Sequence, residues 1–275
     1  MIGILAFLVA LSSPDSPPEG AASLSAGEIL ERAIVAQGGR AIGGPVQDVT
    51  IVAEAIVYKG DSRTTLDVTE HLKLDGGREK FLQKMNVIGE TDTIRATDGT
   101  VAWLKKGDRP TVLSRADFAK DLDELERDKD LLATCVRAFA LENLKGEGVV
   151  FERLPDVTRD GLSSHRIRRI PGPSAAAHPA AAAGALDRPA ILYIETGTHR
   201  LLGVELEEGG DDAPRRNICF WGVAKKVRIG GRPSSQLAVP WSIALYTRDG
   251  IESETYLIEV SINEGLEDSL FAKPR

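Results

Sequence analysis

Catalysis needs a nucleophile, a base or a metal cage at a recognisable spacing, and this sequence offers few groups so arranged. Its four histidines, His71, His165, His178 and His199, show no His-x-His or His-Glu-x-x-His spacing that would put two imidazoles on one metal. His178 falls in an Ala/Pro-rich stretch and reads as solvated; the other three read as residues on strand surfaces. No Gly-x-Ser-x-Gly elbow presents a serine. Gly38-Gly39 and Gly43-Gly44 lack the Gly-Lys-Ser/Thr of a phosphate loop, and they follow a helical pattern instead of a strand. The acidic runs Asp121–Asp130 and Glu205–Asp212 lack the regular oxygen spacing of a calcium loop and read as solvated faces. No catalytic residue, metal ligand or cofactor is assigned on this basis, and the chain reads as a binding protein, not an enzyme.

The remaining candidates are apolar. Leu66, Val68, Leu72 and Leu74 alternate with Asp67, Thr69, His71 and Lys73, a period of two that puts one face on a core and the other in water. Phe118, Leu122, Leu125, Leu132, Val136 and Phe139 recur at helical spacing as one stripe. Together with Trp103 and Trp241, these are the candidate lining of an apolar site. If stripe and sheet fit tightly they form ordinary core; if they leave a gap they enclose a cavity under a helical lid. The sequence leaves both open.

The elements that must position these residues follow from punctuation along the chain. Ser25 with Glu28 is a capping-box pattern opening a helix with the apolar stripe Ile29, Leu30, Ala33 and Ile34, and Gly38-Gly39 stops it. Strand patterns follow: Val49–Tyr58, the alternating run from Leu66, then Phe81–Val87, and Ile94 and Ala96 turning at Asp98-Gly99 into Val101 and Trp103. A helical interval over 115–145 interrupts them, opened by Ser114 with Asp117. The charged stretch Glu124–Asp130 divides it into two helices or one bent one. Strand patterns resume at about 148–154, 162–170, 190–195, 200–207, 217–229, 236–247 and 251–263. Consecutive hairpins favour antiparallel pairing. The expected fold is α+β: one large curved antiparallel sheet of ten or eleven strands, an incomplete β-barrel, with an N-terminal helix and a mid-chain helical lid.

With 42% apolar and 27% charged residues among 275, the chain has ample core material. Its net charge of −7 disfavours nucleic acid and anionic lipid surfaces as partners. Residues 1–24 read as an export signal and leader: the apolar run Ile2–Leu11 is too short to span a bilayer and is followed by a Ser/Pro-rich stretch, although no basic residue precedes it. No cysteine follows to take a lipid anchor. Cys135 and Cys219 read as two separate thiols. Residues 25–275 are expected to form one domain, with 171–189, rich in Ala and Pro, as a flexible insertion.

This order of elements resembles the periplasmic lipoprotein-carrier superfamily (LolA/LolB-like). The resemblance rests on the helix ending at Gly38-Gly39 and on Asp98-Gly99-Thr100-Val101-Ala102-Trp103, similar to the family's Asp-Gly-x-x-x-Trp hairpin. It rests also on the segment Tyr193–Leu202, on Val239-Pro240-Trp241, and on Ile262-Asn263 leading to Leu266–Phe271 and Pro274. Glu195 stands where the family usually has Asp, and the Ala/Pro insertion is atypical. The resemblance implies a half-barrel with an apolar concave face, a lipid or lipoprotein acyl chain as ligand, and an exported, periplasmic location. The alternative is a non-catalytic module that uses the sheet to bind an envelope protein.

Overall fold

The computed structural model describes residues 24–74, 79–87, 90–139, 141, 148–159, 161–172, 189–206, 216–222, 227–234, 237–247 and 250–274. The export signal and nearly all of the Ala/Pro insertion lie outside the described residues. Helix α1 spans Ala26–Gln37, and its capping box is complete: Glu28 N–H donates to Ser25 Oγ at 3.3 Å, and Ser25 N–H to Glu28 Oε2 at 2.8 Å. Gly38, in the left-handed region at φ 70°, ends it.

Six strands follow: β1 Asp48–Lys59, β2 Ser62–Lys73, β3 Lys80–Val87, β4 Thr93–Thr97, β5 Ala102–Lys106 and β6 Pro110–Val112. After helix α2, Arg115–Phe139, come β7 Val150–Arg159, β8 Leu162–Ile170, β9 Ala190–Glu195, β10 Leu201–Leu206 and β11 Arg216–Trp221. The chain ends with β12 Val227–Ile229, β13 Arg232–Pro233, β14 Ser242–Thr247 and β15 Gly250–Ile262. All fifteen belong to one sheet, in the order β6-β5-β4-β3-β2-β1-β15-β14-β11-β10-β9-β8-β7, with β12 and β13 alongside β15. Every pairing is antiparallel except β12 with β15. The expected ten or eleven strands are thus too few. The missed strands, β6 and β13, have three and two residues, too short to show a period of two, and β12 is joined to β11 in the stretch expected over 217–229.

The sheet is curved but does not close into a barrel, because β6 and β7 remain its edges. The chain leaves one edge at β6, runs through α2, and re-enters at the other edge as β7, so α2 has to cross a face of the sheet. Asp128 of α2 bonds Arg95 on β4, while Phe139, eleven residues further on, packs against Phe220 on β11. Those eleven residues span about 16 Å of helix. The two strands are six places apart in the sheet, about 29 Å if it were flat. Curvature and side-chain reach make up the difference. The charged stretch expected to break this helix does not; the non-helical residue is Phe118, at φ −135° and ψ 39°.

Register decides which side chains meet. Val49, Ile51 and Ala53 of β1 pair with Leu72, Glu70 and Val68 of β2, and with Ile262, Val260 and Leu257 of β15. This face, covered by both helices, carries the main core with Ile29, Leu30 and Ile34 of α1, Leu125, Leu132, Val136 and Phe139 of α2, and Ile218 and Phe220 of β11. On the opposite face Leu82, Ala96 and Trp103, in register with His71, are covered by the C-terminal segment through Phe271, Leu266 and Leu270. That segment is clasped by Asp48, whose carboxylate accepts from the N–H groups of Glu264 at 2.9 Å and Gly265 at 3.0 Å.

Candidate functional site

The sequence-predicted apolar residues separate into three places. Leu72, Leu125, Leu132, Val136 and Phe139 are buried together in the main core, with Leu74, Phe118 and Leu122 packed against them, half-buried. Leu66 and Val68 share that concave face but form a smaller cluster with Ala55, Met85 and Val87. The two tryptophans do not join them. Trp103 pairs with Ala96, which pairs with Leu82, and this places it on the convex face, its indole N–H donating to the Phe271 carbonyl at 2.9 Å. Trp241 precedes β14, is 46% exposed, and its ring centre lies 5.1 Å from that of Tyr256. Tyr256 pairs with Glu54, out of phase with the buried Ala53–Leu257 pair, so this aromatic pair also lies on the convex side.

A polar row crosses the floor of the concave face. Glu70, Gln83 and Arg95 are direct cross-strand neighbours on β2, β3 and β4. Gln83 Nε2 donates to Glu70 Oε1 at 2.6 Å, and Arg95 Nε donates to Gln83 Oε1 at 2.7 Å. The Arg95 guanidinium then bonds Asp128 and, at 3.5 Å, Glu124, both on α2. Three more ion pairs hold this helix: Arg137 with Glu79 at 2.6 Å, Lys129 with Glu79 at 3.8 Å and Arg127 with Glu252 at 3.1 Å. The run Asp121–Asp130, read from sequence as a solvated face, therefore supplies the contacts that fasten α2 to the sheet. In the second acidic run Glu205 is buried and accepts from Tyr193 Oη at 2.5 Å; 207–212 lie outside the described residues. Burial pushes the Glu70 carboxyl up to about 7, helped by Asp128 and opposed by the Gln83 hydrogen bond and Arg95. Burial also raises the nearby Cys135 thiol well above its usual range. Cys135 and Cys219 are two separate thiols, with no disulfide between them.

The histidines do not all behave as surface residues. His165 is buried, with Nδ1 3.0 Å from the Asp156 carboxylate, and its ring centre lies 6.1 Å from that of His199. His71 bonds Thr50 Oγ1 at 3.0 Å, and burial lowers its pKa. Among the described residues no three His, Cys, Asp or Glu side chains converge as a metal cage. No described helix is long and apolar enough to cross a membrane.

One open cleft of about 160 Å³ lies where α1 ends, beside the β9–β10 turn. Gln37, Glu195, Arg200, Phe220, Ala238 and Pro240 are among its lining residues. None of the polar groups here was singled out by sequence reasoning as a binding residue; Gln37 lacks a sequence signal, since a glutamine closing a helix is unremarkable until its burial is seen.

An open, curled antiparallel sheet with two helices in its concave face is the fold of the LolA superfamily, as the sequence resemblance implied. The chain is similar in fold to a LolA superfamily protein from Nitrosomonas europaea, at 12% identity and a TM-score of 0.50, over 91% of this chain and 99% of that one. It is likewise similar to a DUF1329 family protein from Desulfovibrio piger, at 13% identity and a TM-score of 0.50, over 89% and 97% of the two chains. No family model and no curated protein matches the sequence.

Proposed function

We propose that this chain is an exported, periplasmic carrier or sensor of lipid-like ligands, which takes an acyl chain onto the concave face when α2 lifts. One observation carries the reading: the apolar trough is filled by α2, and that helix is fastened to the sheet by a set of ion pairs as well as by apolar packing. Arg127–Glu252, the most exposed of these pairs, can be exchanged for water far more cheaply than packed apolar surface. The magnitudes permit exchange. Returning Leu125, Leu132, Val136 and Phe139 to water costs about 2 kcal/mol each, roughly 8 in total. An acyl chain burying about fourteen methylenes recovers roughly 11 kcal/mol. The LolA-superfamily fold supports the reading as analogy only, since one fold serves many functions.

The second reading, a non-catalytic module that docks an envelope protein, is favoured by the convex face. Trp221, Trp241 and Ile258 are 41%, 46% and 48% exposed there or at its margin. The deciding experiment is to purify the full chain from the periplasm of an expressing cell and analyse its organic extract by mass spectrometry beside a control protein of similar size. One acyl species recovered in stoichiometric amount supports the carrier and identifies its cargo. A clean extract, with no uptake of a fluorescent fatty acyl probe, removes the carrier and leaves the docking module.

A further inference from the structure

The cleft beside the β9–β10 turn holds polar groups that an apolar trough does not need. The Gln37 side chain is 4% exposed, yet its Oε1 has no hydrogen-bond partner among the described residues. A buried amide oxygen left without a donor is rare in folded proteins and needs a reason. The same residue's backbone is satisfied, its carbonyl accepting from Ala238 N–H at 2.7 Å. Arg200, exposed on the cleft wall, has no carboxylate bonded to its guanidinium among the described residues. Glu195, on the same wall, accepts from the Thr198 hydroxyl. Counted over the described residues, the cleft wall thus presents one free cation and one carboxylate, with the unsatisfied Gln37 oxygen buried behind it. Its volume of about 160 Å³ is too small for a whole drug-sized ligand, which takes roughly 300–1,000 Å³, but suits a small head group. Phe220 supplies an apolar wall and is also part of the main core, its ring centre 5.5 Å from that of Phe139 at the end of α2. Phe220 therefore stands between the polar cleft and the core beneath α2.

We infer that this cleft is the head-group subsite of the carried lipid, and that the ligand class is an acyl lipid whose head joins a phosphate to a hydrogen-bond donor, as phosphoethanolamine does. The phosphate pairs with Arg200, the ammonium donates to Glu195 and, once the Gln37 side chain turns toward the cleft, to its Oε1, and the acyl chain passes Phe220 as that ring and α2 give way. This rests on the carrier reading above.

The test uses the full chain and two soluble probes with identical tails: dioctanoyl phosphatidylethanolamine and dioctanoylglycerol, which lacks the phosphate and amine. The wild type should bind the first at least tenfold more tightly by calorimetry. Arg200→Gln should remove about tenfold of that preference and leave dioctanoylglycerol binding unchanged, as expected for one charge-assisted bond. Gln37→Leu should reduce the preference by at least threefold; if that variant does not fold, Arg200→Gln still decides. Equal wild-type affinity for both probes, or an equal loss for both in Arg200→Gln, overturns the subsite while leaving the carrier standing. Inorganic phosphate binding as tightly as the phospholipid also overturns it, by placing the anion's source in solution. Binding of neither probe removes the carrier and the subsite together.

Discussion

Replacing Glu70 by Gln should stabilise this protein in mild alkali and do almost nothing in acid. Burial raises the Glu70 carboxyl from an ordinary 4.5 to about 7. Over that interval the folded protein holds a proton that the unfolded chain has released, so stability falls as pH rises from 4.5 to 7. A displacement of this size corresponds to about 3 kcal/mol at pH 8, and to less than about 0.5 kcal/mol at pH 4.5. In the Glu70→Gln variant the new amide keeps an oxygen to accept from Gln83 Nε2, the bond that Glu70 accepts at 2.6 Å, and it carries no charge to desolvate. The neutral amide still pays some burial cost, so the expected gain at pH 8 is about 2 kcal/mol. His71 and His199 have lowered pKa values, chiefly through burial, and their contributions rise with pH toward 6.5, opposite in sign to that of Glu70. The measurement is therefore the difference between variant and wild type, by urea denaturation followed through tryptophan fluorescence at pH 4.5 and pH 8. A variant less stable than wild type at pH 8, or shifted equally at both pH values, would refute the account of the concave floor.

Other substitutions probe the frame. Gly203→Ala would put a Cβ 2.5 Å from the Ile218 carbonyl oxygen on β11; forcing the strands apart should cost about 2–3 kcal/mol, visible as a lowered Tm. Asp48→Ala leaves the N–H groups of Glu264 and Gly265 without their acceptor and should cost about 3 kcal/mol, with selective proteolysis of the C-terminal segment. Arg95→Leu removes the strand partner of Glu124 and Asp128 and leaves them only Lys120 and Arg127 of their own helix, so α2 amides should exchange hydrogen at least tenfold faster while those of β1 and β15 keep their rates. An unchanged α2 would mean that apolar packing alone holds the helix.

Much of the frame was legible because it is locally encoded. Ser25 and Glu28 announce α1, and the alternation from Leu66 to Leu74 puts β2's apolar residues on the helix-covered face. What was lost depends on pairing between distant strands. Asp98-Gly99 reveals a hairpin, but the side on which Trp103 emerges depends on the phase of β5 relative to β2, three strands away. The acidic run on α2 looks like any solvated helix face until Arg95 is brought beneath it. Gln37 shows nothing unusual in sequence; only the packing of Ala238 and Phe220 around it makes its amide oxygen conspicuous.

The middle of the sheet has a consequence for biogenesis. Strand β1 is flanked by its immediate successor and by β15, the last strand of the chain, and the seam is fastened where Gln47 N–H donates to Asn263 Oδ1 across 216 positions. During synthesis or translocation, β1, which ends at Lys59, must wait with one edge open until β15, which begins at Gly250, has followed. Contacts of such long range are slow to form. A chain halted before Gly250 would hold two half-sheets with raw margins at β1 and β14, shapes that invite pairing with other chains. Loss of β15 and the segment after it should therefore yield an aggregating product, and a holding chaperone that masks strand margins would be most needed until β15 has emerged.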